Sequence, residues 1–239
     1  MGTVLIIGAS RGIGHELARQ YLQAGQRVIA TARDESALQA LRDMGAQPLR
    51  LDVADAASIS ALAWQLDGER IERAWHVAGV MCSRANALQV PSQAEFDRVM
   101  HTNVLGAMQV LSQVAPLLTE VAEAQAANGL PGHASGDVRL AFVSSGMGHI
   151  GSVEGSNAWL YRTSKAALNM AVAAAQHSYP QVRMVCFHPG WVQTDMGGAQ
   201  APLSVVESAA GLRGALENLP PHDGRACFMR FDGTRYEGW

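Results

Sequence analysis

The chain has 239 residues, 48% of them hydrophobic and 16% charged, with a formal net charge of −3. That is too apolar for a disordered chain, and it lacks the basic balance of a general nucleic-acid binder. Three widely spaced cysteines, Cys82, Cys186 and Cys227, offer neither a disulfide framework nor a CxxC zinc site, and the eight histidines show no ligand spacing, so no metal is expected. The opening segment MGTVLIIGAS carries a short apolar run with no basic region before it and does not read as a signal peptide. No stretch elsewhere reads as long and apolar enough to cross a membrane. The expectation is a cytoplasmic protein in a reducing setting, with no nucleic-acid or membrane partner.

Short β-branched or apolar runs alternate with helical patterns along the chain. Strands are predicted at 3–7, 27–32, 48–51, 74–78, 138–144, 182–188 and 227–231. The first helix carries Ile13, Leu17, Tyr21 and Ala24 and stops at Gly25; the second carries Leu38, Leu41 and Met44 before Gly45. A third carries Ile59, Leu62 and Leu66 before Gly68. Ser92 and Glu95 have capping-box spacing for a helix entering at Gln93, and a long helical pattern follows from about 104 to 126. Residues 128–137, rich in glycine and proline, read as a surface loop, because the alternation resumes after them. Strand–helix alternation predicts an α/β fold: a Rossmann-type, doubly wound parallel sheet of about seven strands, with helices on both faces and one domain over 1–239.

Gly8-Ala9-Ser10-Arg11-Gly12-Ile13-Gly14 joins the first strand to the first helix. Glycines let the backbone turn tightly and approach a ligand, and the free N–H groups of a helix start favour phosphate. The spacing is GxxxGxG rather than the commoner GxGxxG. A nicotinamide dinucleotide site of the NAD type places an acid at the end of the second strand. Here that strand runs into Arg33, and Arg33 with Arg11 suits a ribose 2′-phosphate. NADP(H) is therefore expected, with NAD(H) kept as the alternative by the neighbouring Asp34.

Of 18 basic residues 17 are arginine, and the only lysine, Lys165, falls four residues after Tyr161 at the start of a helical pattern. Residues i and i+4 share a helix face. A nearby cation favours the phenolate of a tyrosine whose free pKa is about 10, which fits it to trade a proton with a carbonyl or alcohol oxygen. Lysine rather than arginine suits a place where a compact, rotatable ammonium holds two hydroxyls. A serine of Ser144-Ser145 stands at a predicted strand end, where a parallel sheet meets its ligand.

Taken together, these residues resemble the short-chain dehydrogenase/reductase family, with the run from His188 to Gly198 similar to its C-factor-like branch. The resemblance implies a catalytic tetrad of Asn103, Ser145, Tyr161 and Lys165, in which Asn103 holds a water in a proton relay. It also implies cofactor contacts at Gly8, Ser10, Arg11, Gly12, Ile13, Gly14, Arg33, Asp52, Val53, Ala78, Gly79, Tyr161, Lys165, Pro189, Gly190, Val192 and Thr194. Asp52 would meet the adenine amine beside Val53, while Val192 and Thr194 would hold the nicotinamide carboxamide.

Three departures stand out. The family's usual NNAG is His76-Val77-Ala78-Gly79, its usual threonine before the first glycine is Ile7, and serine and tyrosine are 16 residues apart, which reads as an insertion within 151–157 at the substrate mouth. His149 is expected on the loop surface, with a place in the substrate pocket as the alternative. Trp159, Trp191 and Met196 read either as an apolar substrate wall or as plain packing. The helices at 104–126 and 166–175 are rich in small and apolar residues, which suits a homodimer or homotetramer. The implied function is an NADP(H)-dependent carbonyl–alcohol oxidoreductase with a small-molecule substrate. The alternative is a cofactor-binding signalling or scaffold protein of the same fold with little turnover.

Overall fold

The computed structural model describes residues 2–82, 88–127 and 138–239. The loop expected at 128–137 lies outside the described residues. Seven parallel strands form one sheet: β1 Thr3–Ile7, β2 Arg27–Ala32, β3 Gln47–Arg50, β4 Ile71–His76, β5 Arg139–Val143, β6 Arg183–His188 and β7 Cys227–Arg230. Their spatial order is β3-β2-β1-β4-β5-β6-β7. β1 is buried at every position, as expected of a central parallel strand covered on both faces. Expected and observed strands agree closely, except that β4 begins at Ile71 and leaves the sheet after His76. Beyond that point the Val77 and Ala78 N–H groups both donate to Ile7 O, at 2.9 and 3.1 Å, and carry the chain across the top of β1.

Among the described residues, eight α-helices cover the two faces: α1 Gly12–Gln23, α2 Glu35–Asp43, α3 Ala56–Ser60, α4 Leu62–Gln65, α5 Gln93–Met100, α6 Gly106–Ala127, α7 Trp159–Gln176 and α8 Val205–Glu217. On one face, residues such as Leu17, Leu41 and Leu212 from α1, α2 and α8 meet Val4, Ile6, Trp75 and Phe187 of the sheet. On the other, Ile59, Leu62, Val110, Val114 and Leu168 meet Leu5, Ile7, Leu140 and Phe142. The winding is double, as predicted.

The expected third helix is two short ones. Ala61, at φ −83° and ψ −7°, breaks it between α3 and α4, yet Ile59, Leu62 and Leu66 all stay buried on one side. The expected helix at 104–126 begins instead with a π-helical turn, His101–Leu105, which widens the junction of α5 and α6. One sequence expectation is corrected here. By length and composition the continuous helix Gln93–Ala127 is apolar enough to cross a membrane. Its apolar residues have another use, since Val110, Val114 and Leu118 are fully buried over the sheet.

Helix α8 was absent from the expectations, although Ser204 and Glu207 announce it. The Glu207 N–H donates to Ser204 Oγ (3.2 Å), and the Ser204 N–H donates to Glu207 Oε2 (3.0 Å), a reciprocal capping box. Helix α8 then packs on α1, where Gln20 Nε2 donates to Val206 O at 3.1 Å. Loss of an N-cap hydroxyl costs about 1 kcal/mol. Ser204→Ala is therefore expected to lower the urea midpoint measurably. An unchanged midpoint would show that the box contributes nothing to α8.

Candidate active site

The strand order reverses at β1, with β2 on one side and β4 on the other. Such a reversal opens a ligand crevice beyond the carboxyl ends of the strands. Gly8 stands there at φ +90°, and a Cβ on it would lie 2.8 Å from Ala78 N. The crossing backbone leaves no room for a side chain. The Gly8 N–H donates to Thr31 Oγ1 at 3.0 Å and the Ala9 N–H to Thr31 O at 2.8 Å. Thr31, on β2, thus anchors a loop whose preceding residue is the buried Ile7. No side chain caps α1 at Arg11, so the N–H groups of Gly12, Ile13 and Gly14 begin the helix without a side-chain acceptor. Ser10 and Arg11 are exposed beside them, and Arg11 faces Asp195 at 3.0 Å.

At the end of β2, Arg33 is exposed and its carbonyl accepts from Arg50 Nη1 at 2.6 Å. Asp34 caps α2: its Oδ1 accepts from the Ala37 N–H (2.9 Å) and from Ser36 Oγ (2.8 Å). Those bonds hold its carboxyl below the usual carboxylate value. Asp52 is half-buried and accepts from the Ala54 N–H at 2.9 Å, with Val53 buried beside it. Past β6, Gly190 turns the chain at φ +86°, the Pro189 carbonyl accepts from Ser208 Oγ (2.7 Å), and Val192 bridges to Leu203. Thr194 reaches the glycine loop, its methyl 3.4 Å from where a Cβ on Gly12 would stand.

Tyr161 and Lys165 lie one turn apart on α7, both nearly buried, with the ammonium 5.7 Å from the phenol ring centroid. Lys165 Nζ donates to Val143 O, at the end of β5, at 2.9 Å. A Cβ on Gly79 would lie 3.4 Å from that nitrogen and 3.3 Å from Asn103 Oδ1, so Lys165 and Asn103 converge on Gly79. Asn103 is held on three sides. Its Oδ1 accepts from the Val80 N–H (2.7 Å), and its Nδ2 donates to Val80 O (2.9 Å) and to Ser164 Oγ (3.0 Å). Ser164, which the sequence reading passed over inside YRTSK, donates in turn to Tyr161 O at 2.8 Å.

Of the paired serines, Ser144 donates to Asn169 Oδ1 on α7 at 2.6 Å and is committed to holding the sheet against that helix. Ser145 is the one left, its Oγ accepting from the Met147 N–H at 3.1 Å. Gly148 lets this loop touch α7, since a Cβ there would lie 2.8 Å from Lys165 Cβ. Residues 151–157 are exposed throughout, and Ala158 enters α7 in the left-handed region at φ +52°.

One expectation is corrected. His149 is buried rather than on the loop surface: Nδ1 lies 2.8 Å from Ser152 Oγ, and Nε2 lies 3.1 Å from Glu237 O. The apolar surroundings of Tyr161 are built from methionine more than tryptophan. Met81, Met100, Met147 and Met196 pack around Tyr161, Cys82, Val99 and Leu160. Trp159 and Trp191 are instead partly exposed, and Trp191 Nε1 donates to Gly197 O at 2.8 Å.

Burial pushes the Lys165 ammonium down to about 8. His76, beneath it, is fully buried and stacked on Phe142 at 5.7 Å. Burial first and the nearby Lys165 second push it to about 3. Burial and Arg230 bring His188 to about 4. Unfolded histidines take up protons near pH 6.5, so below that pH the unfolded state binds more protons than the folded one. Stability is then complete above pH 6.5 and falls as the pH drops toward 4. The denaturant midpoint is expected to decline across this window, and His76→Asn to flatten the decline. A pH-independent midpoint contradicts the burial of neutral rings.

The family model described as short chain dehydrogenase matches residues 2–202. The 1-hydroxy-2-glutathionyl-2-methyl-3-butene dehydrogenase of Rhodococcus sp. (strain AD45) is 32% identical over 98% of this chain and 98% of its own length. C-signal of Myxococcus xanthus is 36% identical over 66% of this chain and 85% of its own. Among solved structures, the NADPH-bound carbonyl reductase from chicken fatty liver superposes with a TM-score of 0.85 at 30% identity, covering 99% of this chain and 94% of that one. With a family match over most of its length, the chain belongs to the short-chain dehydrogenase/reductase family of oxidoreductases.

Proposed function

We propose that the protein is an NADP(H)-dependent oxidoreductase that interconverts an apolar carbonyl compound and its alcohol. The observation that carries this reading is the buried pair on α7: the chain's one ammonium beside a phenol, converging with Asn103 on Gly79 at the crevice. The similarity to an NADPH-bound carbonyl reductase supports it.

The residues fit a dinucleotide. Gly8 lies against Ala78 with no space for a side chain, and the uncapped N-terminus of α1 favours a phosphate. Gly8, Ser10, Arg11, Gly12, Ile13 and Gly14 would hold the phosphates, and Asp52 and Val53 the adenine. Ala78 and Gly79 would let the nucleotide approach, while Pro189, Gly190, Val192 and Thr194 would hold the nicotinamide end. For the 2′-phosphate, Arg33 is exposed and its acidic neighbour Asp34 is engaged as a helix cap. Arg11 is joined to Asp195 only by a fully solvated ion pair, which contributes little and leaves the guanidinium free to turn.

When bound, the cofactor supplies or accepts the hydride. Tyr161 gives its proton to the carbonyl oxygen in the reducing direction and takes one from the alcohol in the other. Lys165 stabilises the negative charge left on the phenol. Ser145 donates a hydrogen bond to the same oxygen. Asn103 fixes the backbone at Val80 and holds a water behind Lys165 through which protons are replaced. The methionines around Tyr161 provide a deformable apolar wall, suited to an apolar substrate of variable shape. Exposed Leu105 of the π turn, Met108 of α6 and Met170 of α7 leave an apolar surface for a second copy of the chain. A monomeric mass by light scattering at micromolar concentration counts against that pairing.

Tyr161→Phe is expected to keep NADPH binding, read by nucleotide fluorescence, and to lose roughly 10²–10⁴-fold in carbonyl turnover. Parent-like turnover removes Tyr161 from the chemistry. Arg33→Ala is expected to weaken NADPH about tenfold and to leave NADH nearly unaffected. Equal losses for both nucleotides would place the 2′-phosphate elsewhere. The similarity to C-signal keeps a second reading, a cofactor-binding signalling protein. A panel of aldehydes, ketones and quinones separates the two, because tight NADPH binding without oxidation on any of them favours signalling.

A further inference from the structure

The family match ends at residue 202, and the chain goes on through α8 and β7 before doubling back. After β7 the Gly233 N–H donates to Arg230 O (3.0 Å), the Arg230 N–H to Thr234 O (2.8 Å) and the Thr234 N–H to Asp232 Oδ1 (2.9 Å), with Gly233 at φ +87°. Met229 and Arg235 then form an antiparallel bridge, and the Tyr236 N–H donates to Phe228 O at 2.9 Å. This turn lays the Tyr236 ring flat on Phe228, with centroids 4.3 Å apart and planes 13° apart.

From there the returning segment reaches the loop that carries Ser145. Tyr236 leans on His149 at 4.8 Å. Glu237 O can only accept, so the His149 nitrogen 3.1 Å away is the protonated one. Nδ1 lies 2.8 Å from Ser152 Oγ. The Ile150 N–H donates to Trp239 O at 3.3 Å. Gly146, directly after Ser145, is hemmed in: a Cβ there would lie 2.8 Å from Tyr236 Oη and 3.2 Å from His188 Cδ2.

We propose that Tyr236, with the backbone carbonyls of Glu237 and Trp239, forms a positioning strap that presses the 145–152 loop against the end of β6 and so sets the place of the Ser145 hydroxyl. Tyr236 is a positioning residue acting through Gly146 and His149, and the kinetic part of this inference rests on the role given above to Ser145. A hydroxyl that must meet a reacting oxygen loses much of its effect when displaced by about 1 Å, by as much as 10²-fold. Among the described residues no hydrogen bond or ring contact joins 236–239 to the glycine loop at 8–14.

The test compares the full chain with Tyr236→Ala, Tyr236→Phe, Gly146→Ala and the double variant Gly146→Ala/Tyr236→Phe. In Tyr236→Ala, amide hydrogen exchange over 146–152 is expected to quicken while exchange over 8–14 stays as in the parent. Carbonyl turnover is expected to fall about tenfold or more, with NADPH affinity held within about twofold. Tyr236→Phe keeps the ring and most of the turnover. Gly146→Ala loses turnover through the 2.8 Å clash, and removing the hydroxyl in the double variant recovers part of it. Parent-like exchange over 146–152 in Tyr236→Ala overturns the strap. So does a loss of NADPH affinity in step with turnover, or a double variant no better than Gly146→Ala. If the parent reduces no carbonyl yet exchange still quickens in Tyr236→Ala, the strap stands and the proposed activity fails.

Discussion

A charged amine in a nearly water-free place is the constraint around which this structure is arranged. Lys165 is 3% exposed, and its ammonium keeps Val143 O as a hydrogen-bond acceptor. Burying an ion without compensation is costly, and the fall of its pKa to about 8 registers that cost. The surroundings answer in several ways. Gly148 and Gly79 have no side chains, so backbone approaches from two directions. His76, which would add a second positive charge beneath the lysine, is kept neutral by its own burial and by the lysine. The amine is thus held charged at neutral pH but close to its limit.

Asn103 performs the mechanical part of the same arrangement. It sits in the π-helical turn between α5 and α6, where the widened backbone re-aims a side chain that a continuous helix would carry around by another angle. From there one amide joins the strand-crossing segment at Val80, the α6 start and, through Ser164, the backbone of Tyr161. Three separate parts of the chain are therefore referred to one side chain.

What could be read from the amino-acid order was what local periodicity encodes. Buried parallel strands announce themselves as short apolar runs, and Gly25 and Gly45 marked helix ends because both take positive φ. The tyrosine and lysine were visible as a pair because lysine occurs once. The parts that escaped are set by contacts between distant segments. Helix α8 carries a proper capping box, but its apolar face is meaningful only against α1. The π turn at 101–105 looks like ordinary helix in sequence. His149 reads as a polar loop residue until Tyr236 and Glu237 return to cover it. The helix 93–127 passes a membrane criterion because a long core helix and a membrane span share a composition. Only the sheet beneath distinguishes them.

The end of β2 shows how a local structural duty fixes a side chain. A carboxylate at the end of β2 would repel a 2′-phosphate and accept from a ribose hydroxyl, and Asp34 is within one residue of that place. Its oxygen is instead taken by the Ala37 N–H and Ser36 Oγ at the start of α2. The carboxylate also stands at the positive end of that helix, which holds it there more firmly. Turning it toward a ribose would uncap α2 at a cost of about 1 kcal/mol. Arg33 carries no such duty in its side chain, while its carbonyl is tied to Arg50, which is in turn fixed to Glu35. The backbone is therefore pinned while the side chain stays exposed. A helix cap thus commits one of two adjacent, oppositely charged residues to the start of α2.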